Sequence, residues 1–440
     1  MTVDLHAPDE LIAADGAHLL PSAALAGAQV RATAEQLAGL TDLGRPRALV
    51  VIGSTAAVDT ALLTALLGDP PAPVVTGTTL PTWVGPLDIV VVLASVVDDI
   101  ACAEAAALAA RRGARVIVRA AADGPVADAA AGSLLIAPMV TVTEALAGVA
   151  RLAVLLGVAA AAGFGRPPDF TTAADQLDAL AVACHPSSEF FVNPALTLAE
   201  HLSDGTPLII GTDPVADALA AYAGRSLIAL AGLAGAALPS YQAAGSPPIL
   251  ASAARTDGPA GTFYDPYAAD EDEPAQGQRV SSVLVVGPAA LGGAASAVGL
   301  PAGSGLLPLE SLPSFGAEPV DPTRMPATPQ SPLAAALQAA LPRAIVIGPE
   351  ELPTPDNGRD SGREATPDAP ATPPARDAFG WTLSMMARID FAAVYLGLRS
   401  GARPPMDSPD GLGRPGSAAL HLPSTGGRAA WSERESGSWS

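Results

Sequence analysis

The sequence predicts an α/β protein made of two three-layer sandwiches, each a parallel β-sheet flanked by helices. Three observations carry that expectation. Short β-branched runs, "LVVIG" at 49–53 and then "APVVTG", "DIVVVLAS", "ARVIVRA" and "GSLLIAP", alternate with Ala-rich stretches of helical spacing. That alternation is the pattern of a doubly wound sheet with right-handed crossovers. It resumes after Phe164. Finally, only 17 residues are aromatic (8 Phe, 5 Tyr, 4 Trp), while Ala and Val dominate. A core of small side chains needs closely spaced layers, which favours helix on sheet over sheet on sheet.

Taken in order, a segment 1–31 precedes a first domain at 32–163. Within it, Leu87 to Val118 reads as strand, turn, helix, strand, the unit that in many sheet proteins presents an anion to a helix N-terminus. Its turn, "ASVVDDIAC", has no glycine and two adjacent acids. The apolar stretch Ala145 to Gly163 approaches membrane length but carries Arg151, whose insertion at a bilayer centre costs roughly 2.5–3.5 kcal/mol. A buried or domain-linking helix is the expectation there. In the second domain, 164–401, Asn193 is placed as an N-cap with Pro194 at the first helical position. The helix then runs to about Leu202 and a strand spans Pro207 to Gly211. "RVSSVLVVGP" and "PRAIVIGP" supply later strands. Acidic and Pro-rich insertions are expected at 265–278 and 350–376, and a disordered tail at 402–440. Between the last two, 377–401 spaces Leu383, Met386, Ile389, Ala393 and Leu396 three or four apart, which predicts an amphipathic helix packing back on the body.

Composition excludes several functions. The net charge is −21, all 23 cations are Arg, and no basic stripe is present, which argues against nucleic acid. Cys102 and Cys184 are the only cysteines. Without a Cys/His cluster neither a zinc site nor a disulfide framework is expected, and a cytoplasmic setting follows. "MTVDLHAPDE" does not read as a secretory signal, and no membrane partner is expected.

Several segments together resemble one family, the sugar isomerase (SIS) domain proteins, specifically the double-SIS bifunctional phosphoglucose/phosphomannose isomerases. "TTLPTWVGPLDIVVVLAS" is similar to the segment leading into that family's phosphate-loop strand. "AAALAARRGARVIV" resembles its following helix and strand, "VNPALTLAEHLSDGTPLIIG" its entry into the second domain, and "IDFAAVYLGLRSG" its C-terminal helix. The Lys-free, Ala-rich texture further resembles a divergent actinobacterial branch. The resemblance implies two SIS-type sandwiches and a homodimer. It also implies proton transfer between C2 and C1 of a hexose 6-phosphate, by a carboxylate base, a ring-opening group and a cradle of hydroxyls and N–H groups. No cofactor or metal is implied.

Each requirement is altered here. The family's Ser-x-Ser-Gly-x-Thr cradle falls on Ala94, Val96, Val97 and Asp99, and a one-residue shift recovers only Ser95. Asp98 and Asp99 complement a helix N-terminus as caps but repel a phosphate; a ligand role and a metal bridge are the other readings. In the first-strand loop, Gly53, Ser54 and Thr55 could line a small polar pocket, or form a turn with a Ser/Thr N-cap. Where the family places its glutamate, "LPSYQ" has Ser240, and Tyr241 and Gln242 stand near the position of its histidine. From Ala218 to Thr256 there is no Asp, Glu, His or Lys. The remaining weak candidates for a base are His185 and Glu189. Asp390, Arg388 and Tyr395 match or lie near the family's C-terminal Asp and Tyr, with an ion-paired, half-buried packing face as the plainer reading. The expected function is therefore a divergent isomerase-like protein of carbohydrate, and by resemblance mannose, metabolism that binds a sugar phosphate or a sugar-metabolism enzyme with a degenerate site. Alternatives are an active aldose-ketose isomerase with a relocated base, and a non-catalytic interaction protein.

Overall fold

In the computed structural model the described residues all belong to one compact unit. The structure describes residues 3–254, 280–287, 332–348 and 378–402. The expected insertions and tail thus lie outside the described residues, apart from Ala402.

The segment 1–31 begins three helices, α1 (Pro8–Ala14), α2 (Leu19–Ala24) and α3 (Ala26–Leu37), the last running through position 32. There follow β1 (Leu49–Ile52), α4 (Ala56–Leu67), β2 (Val74–Gly77), β3 (Ile89–Leu93), α5 (Ile100–Arg111), β4 (Arg115–Arg119), α6 (Pro125–Ala129), β5 (Leu134–Ile136) and α7 (Gly148–Ala161). The second half holds α8 (Phe170–Ala183), α9 (Pro194–Ser203), β6 (Thr206–Gly211), α10 (Pro214–Ser226), β7 (Ala236–Pro239), α11 (Ser240–Ala244), α12 (Pro247–Ala254), β8 (Val280–Val285), α13 (Pro332–Ala340), β9 (Ile345–Ile347) and α14 (Ala378–Ser400). One sheet has the order β2-β1-β3-β4-β5, the other β7-β6-β8-β9, and every pairing is parallel. Both sheets reverse direction of winding at their first strand, between β1 and β3 and between β6 and β8.

Alternation along the strands divides the core into layers. Val50, Val90, Val92, Val116 and Val118 face α5 and α6 on the outside of the first sheet. Leu208, Ile210 and Leu284 face outward from the second. Leu49, Val51, Ile89, Val91, Ile209, Val283 and Val285 all face one continuous central core, shared with α3, α7, α8, α9, α10 and α14. The two sandwiches therefore meet through their inner helices.

The terminal helix differs from its expectation. Every residue of α14 from Phe379 to Leu398 is buried, so it has no solvated face and behaves as a core helix rather than an amphipathic one. Each of its large apolar side chains contributes on the order of 1.5–3 kcal/mol on burial. Among the described residues Asp390 makes no ion pair, and its face is not half-buried. It is 3% exposed and accepts hydrogen bonds from the Tyr222 hydroxyl at 2.7 Å and the Ser226 hydroxyl at 2.8 Å. The Arg388 Nε donates to the carbonyl of Pro194, and the Tyr395 hydroxyl to that of Cys184.

A second polar group anchors the centre. Arg151 on α7 is fully buried; its Nε donates to Asp59 of α4 at 2.8 Å and its Nη1 to Glu144 at 2.6 Å. The Thr55 hydroxyl donates to the same Asp59 oxygen at 2.7 Å. Gly148, one turn before Arg151, lies where a Cβ would collide with the Tyr222 ring and hydroxyl, so α7 and α10 approach closely only because that side chain is missing.

Removing one member of a buried pair leaves an uncompensated charge. Arg151→Leu should lower unfolding free energy by about 3–5 kcal/mol, read from urea titrations. Burial pushes the Asp390 carboxyl up to about 6 from its ordinary 3.8, against the hydrogen bonds of Tyr222 and Ser226 and the charges of Arg225 and Arg151. The folded state therefore holds a proton that the unfolded chain releases. This group's stabilisation is complete below about 3.8 and is lost as pH rises through about 6. Asp390→Asn should remove that fall, so the difference in urea midpoint between variant and wild type grows in the variant's favour between pH 4 and 7.

Candidate functional site

In parallel sheets the carboxyl ends of the strands on either side of a switch point open into a crevice. On the first sheet that position lies between the turns after β1 and β3, where, of the six sequence-predicted ligand residues, Ser54 and Ser95 are joined by a hydrogen bond. Gly53, directly after β1, lies against the backbone carbonyl of Leu93, leaving no room for a Cβ. This close approach places the hydroxyls of Ser54 and Ser95 2.8 Å apart, with Ser54 exposed. Thr55 stands at the start of α4 but makes no side-chain cap. Its hydroxyl is held by Asp59, so the expected Ser/Thr cap is not formed and Thr55 is turned toward the buried charges.

The two acids separate. Asp99 is the N-cap of α5: its Oδ1 accepts from the Cys102 N–H at 3.0 Å. Asp98 is exposed and is not the cap. One donor of the helix N-terminus that a phosphate oxygen could use is thus already engaged by a carboxylate. Around this turn Val96, Val97 and Ile100 are 57%, 43% and 56% exposed, an apolar rim beside the hydroxyl pair.

His185 and Glu189 are exposed in the connection between α8 and α9. The His185 Nδ1 accepts from the Ser187 N–H at 3.2 Å, and no hydrogen bond among the described residues joins either side chain to Ser54 or Ser95. Burial pushes the thiols of Cys184 and Cys102 up to about 12, so neither is a thiolate nucleophile near neutral pH. Among the described residues no group of three or more His, Cys, Asp or Glu could hold a metal ion. No described helix is long and apolar enough to cross a membrane.

Two features were missed in the sequence. Asp213 caps α10, accepting from the N–H groups of Val215 and Ala216. Asp217 follows one turn later, raised to about 6 by burial and then by the charge of Asp213, against the backbone N–H of Ser240. A carboxyl thus stands beside Ser240, one residue before the acid-free stretch begins. The Asp213-Pro214 start of a helix after a strand was the available signal. The other feature is Arg119, the last residue of β4 and 4% exposed, whose position at a carboxyl strand end is visible in "ARVIVRA".

Two parallel sheets with helices on both faces, and a hydroxyl pair at the switch point of the first, define a doubly wound α/β protein with its candidate site at the carboxyl edge of that sheet. The fold is that of the sugar isomerase (SIS) domain proteins, in duplicate. No family model and no curated protein matches the sequence. Among solved structures the chain is similar to a hypothetical protein from Thermus thermophilus, at 13% identity over 89% of this chain and 88% of that one, with a TM-score of 0.53. It is also similar to a candidate phosphosugar isomerase from Clostridium difficile, at 10% identity over 88% and 94%, with a TM-score of 0.50.

The cap assignment has a direct consequence. Asp99→Ala should cost about 1 kcal/mol of stability, whereas Asp98→Ala should stay within about 0.5 kcal/mol; paired thermal melts separate the two.

Proposed function

We propose that this chain is a sugar isomerase-fold protein that binds a carbohydrate derivative at the carboxyl edge of its first sheet without carrying out aldose-ketose isomerisation. The hydroxyl pair Ser54–Ser95 supports the reading: two adjoining hydroxyls beside exposed Val96, Val97 and Ile100 suit a sugar, which offers hydroxyls on its edge and C–H groups on its face. Asp99, seated on the helix N-terminus, weighs against the strong phosphate grip that catalysis on a hexose 6-phosphate requires. Abstraction of a proton from carbon needs a base in reach of the substrate, and His185 and Glu189 have no bond to this edge.

A second reading, an active isomerase with a relocated base, is favoured by one observation, the half-buried Asp217 beside Ser240 with its carboxyl near 6. A base is most effective when its pKa lies near the operating pH.

Deuterium wash-in at C2 of glucose 6-phosphate and mannose 6-phosphate decides between them. The expected outcome is no exchange above background, together with a thermal shift on sugar addition that is lost in Ser54→Ala/Ser95→Ala. Exchange abolished by Asp217→Asn, or by His185→Ala or Glu189→Gln, would establish the second reading. Neither exchange nor a thermal shift would remove the sugar and leave a protein partner, such as an enzyme of sugar metabolism, as the ligand to seek.

A further inference from the structure

Another opening lies on the inner side of the first sheet. Alternation along β4 sends Val116 and Val118 to the outer core and Ile117 to the inner one, so the Arg119 side chain leaves the strand end toward α3 and α7. It is nearly fully buried, yet poorly paired. Among the described residues its guanidinium meets only Glu144, both of whose carboxylate oxygens lie 3.4 Å from the same nitrogen, Nη1. Glu144 is held more closely by Arg151, at 2.6 Å. Burial, and secondarily the charge of Arg151, pulls the Arg119 pKa down, against the attraction of Glu144. A cation taken out of water normally has a close, well-aligned counter-ion. Here the fork of the guanidinium is left largely unused.

Beside it is a chamber of about 20 Å3, lined by Arg119, Gln29, Thr33, Ile136, Met139 and Ala150 among others. Met139, at its rim, is 71% exposed. The Thr33 hydroxyl donates to the Gln29 carbonyl and the Gln29 Nε2 to the Leu146 carbonyl, so these neighbours are tied in place. A space of roughly 10–15 Å3 is needed for one water-sized group. The chamber therefore has room for one small group beside the guanidinium.

We propose that Arg119 forms the floor of a subsite for a carboxylate, the planar anion whose two oxygens match a guanidinium fork. The remainder of such a ligand would leave past Met139. The subsite is independent of the reading given to Ser54 and Ser95, because it uses a different strand end.

Isothermal titration of the full chain with sodium acetate, against sodium chloride and sodium phosphate at matched ionic strength, tests it. The expected result is saturable acetate binding in the wild type, at least tenfold weaker in Arg119→Met, which leaves Glu144 paired with Arg151. Ala32→Leu, which enlarges another lining residue of the chamber and leaves all the ion pairs intact, should weaken binding equally, and it carries the test if Arg119→Met does not fold. No saturable acetate binding to wild type, equal binding in the folded variants, or a response no greater for acetate than for chloride or phosphate would each overturn the proposal.

Discussion

The centre of the molecule is arranged around the Arg151 guanidinium, which has no contact with water. Such a cation is tolerable only if carboxylates reach it from neighbouring elements, and Asp59 on α4 and Glu144 in the turn before α7 do so. Their geometry fixes how α4 and α7 lie against each other. Gly148 then allows α10 to press its Tyr222 against the same helix, and Tyr222 in turn holds Asp390 of α14. Polar side chains thus run from the first sheet's loop at Thr55 to the last described helix. Around them the core is mostly alanine, valine and leucine, which pack densely but specify little by shape. Directional bonds among a few buried polar groups give that interior its register.

The edge of the first sheet shows how a strand-to-helix turn can be closed by the chain itself. A strand-to-helix turn in a parallel sheet must satisfy the helix's first N–H groups in some way: with a ligand anion, with water, or with a side chain. Asp99 does it from within the chain, so α5 needs no ligand to be well capped. Beside that cap the sheet edge presents two serines and three exposed aliphatic residues.

Much of this organisation was legible in the sequence, and the exceptions have physical causes. The β-branched runs located β1, β3, β4, β6 and β8 because buried parallel strands require such residues on both faces. The strand β7, "AALP", was missed: four residues without a β-branch and with a proline carry no strand signal, and only pairing with β6 makes them one. The helix α14 was placed within a residue of its observed limits, but its spacing suggested a wet face. Arg388 and Asp390, read as part of a half-buried face, are buried because partners from α9 and α10 reach them, information that lies far away in sequence. At the candidate site, Ser54 and Ser95 could be named but their contact could not, since it depends on β1 and β3 being neighbours. Asp217 escaped notice because it stands one residue before the segment in which a base was sought, and only the fold brings it beside Ser240.

The position of α14 also bears on how the protein is made. This helix fills the space between the inner faces of both sheets, yet it follows β6 by more than a third of the chain. A ribosome adding about 5–20 residues per second needs on the order of ten seconds to pass from Gly211 to Ala378. During that interval Leu198, Ile209, Leu227 and Val283 have no Ile389 or Ala392 to close over them. The apolar seam thus stays open for more than a third of the chain's synthesis, and it is closed by the late insertion of one helix.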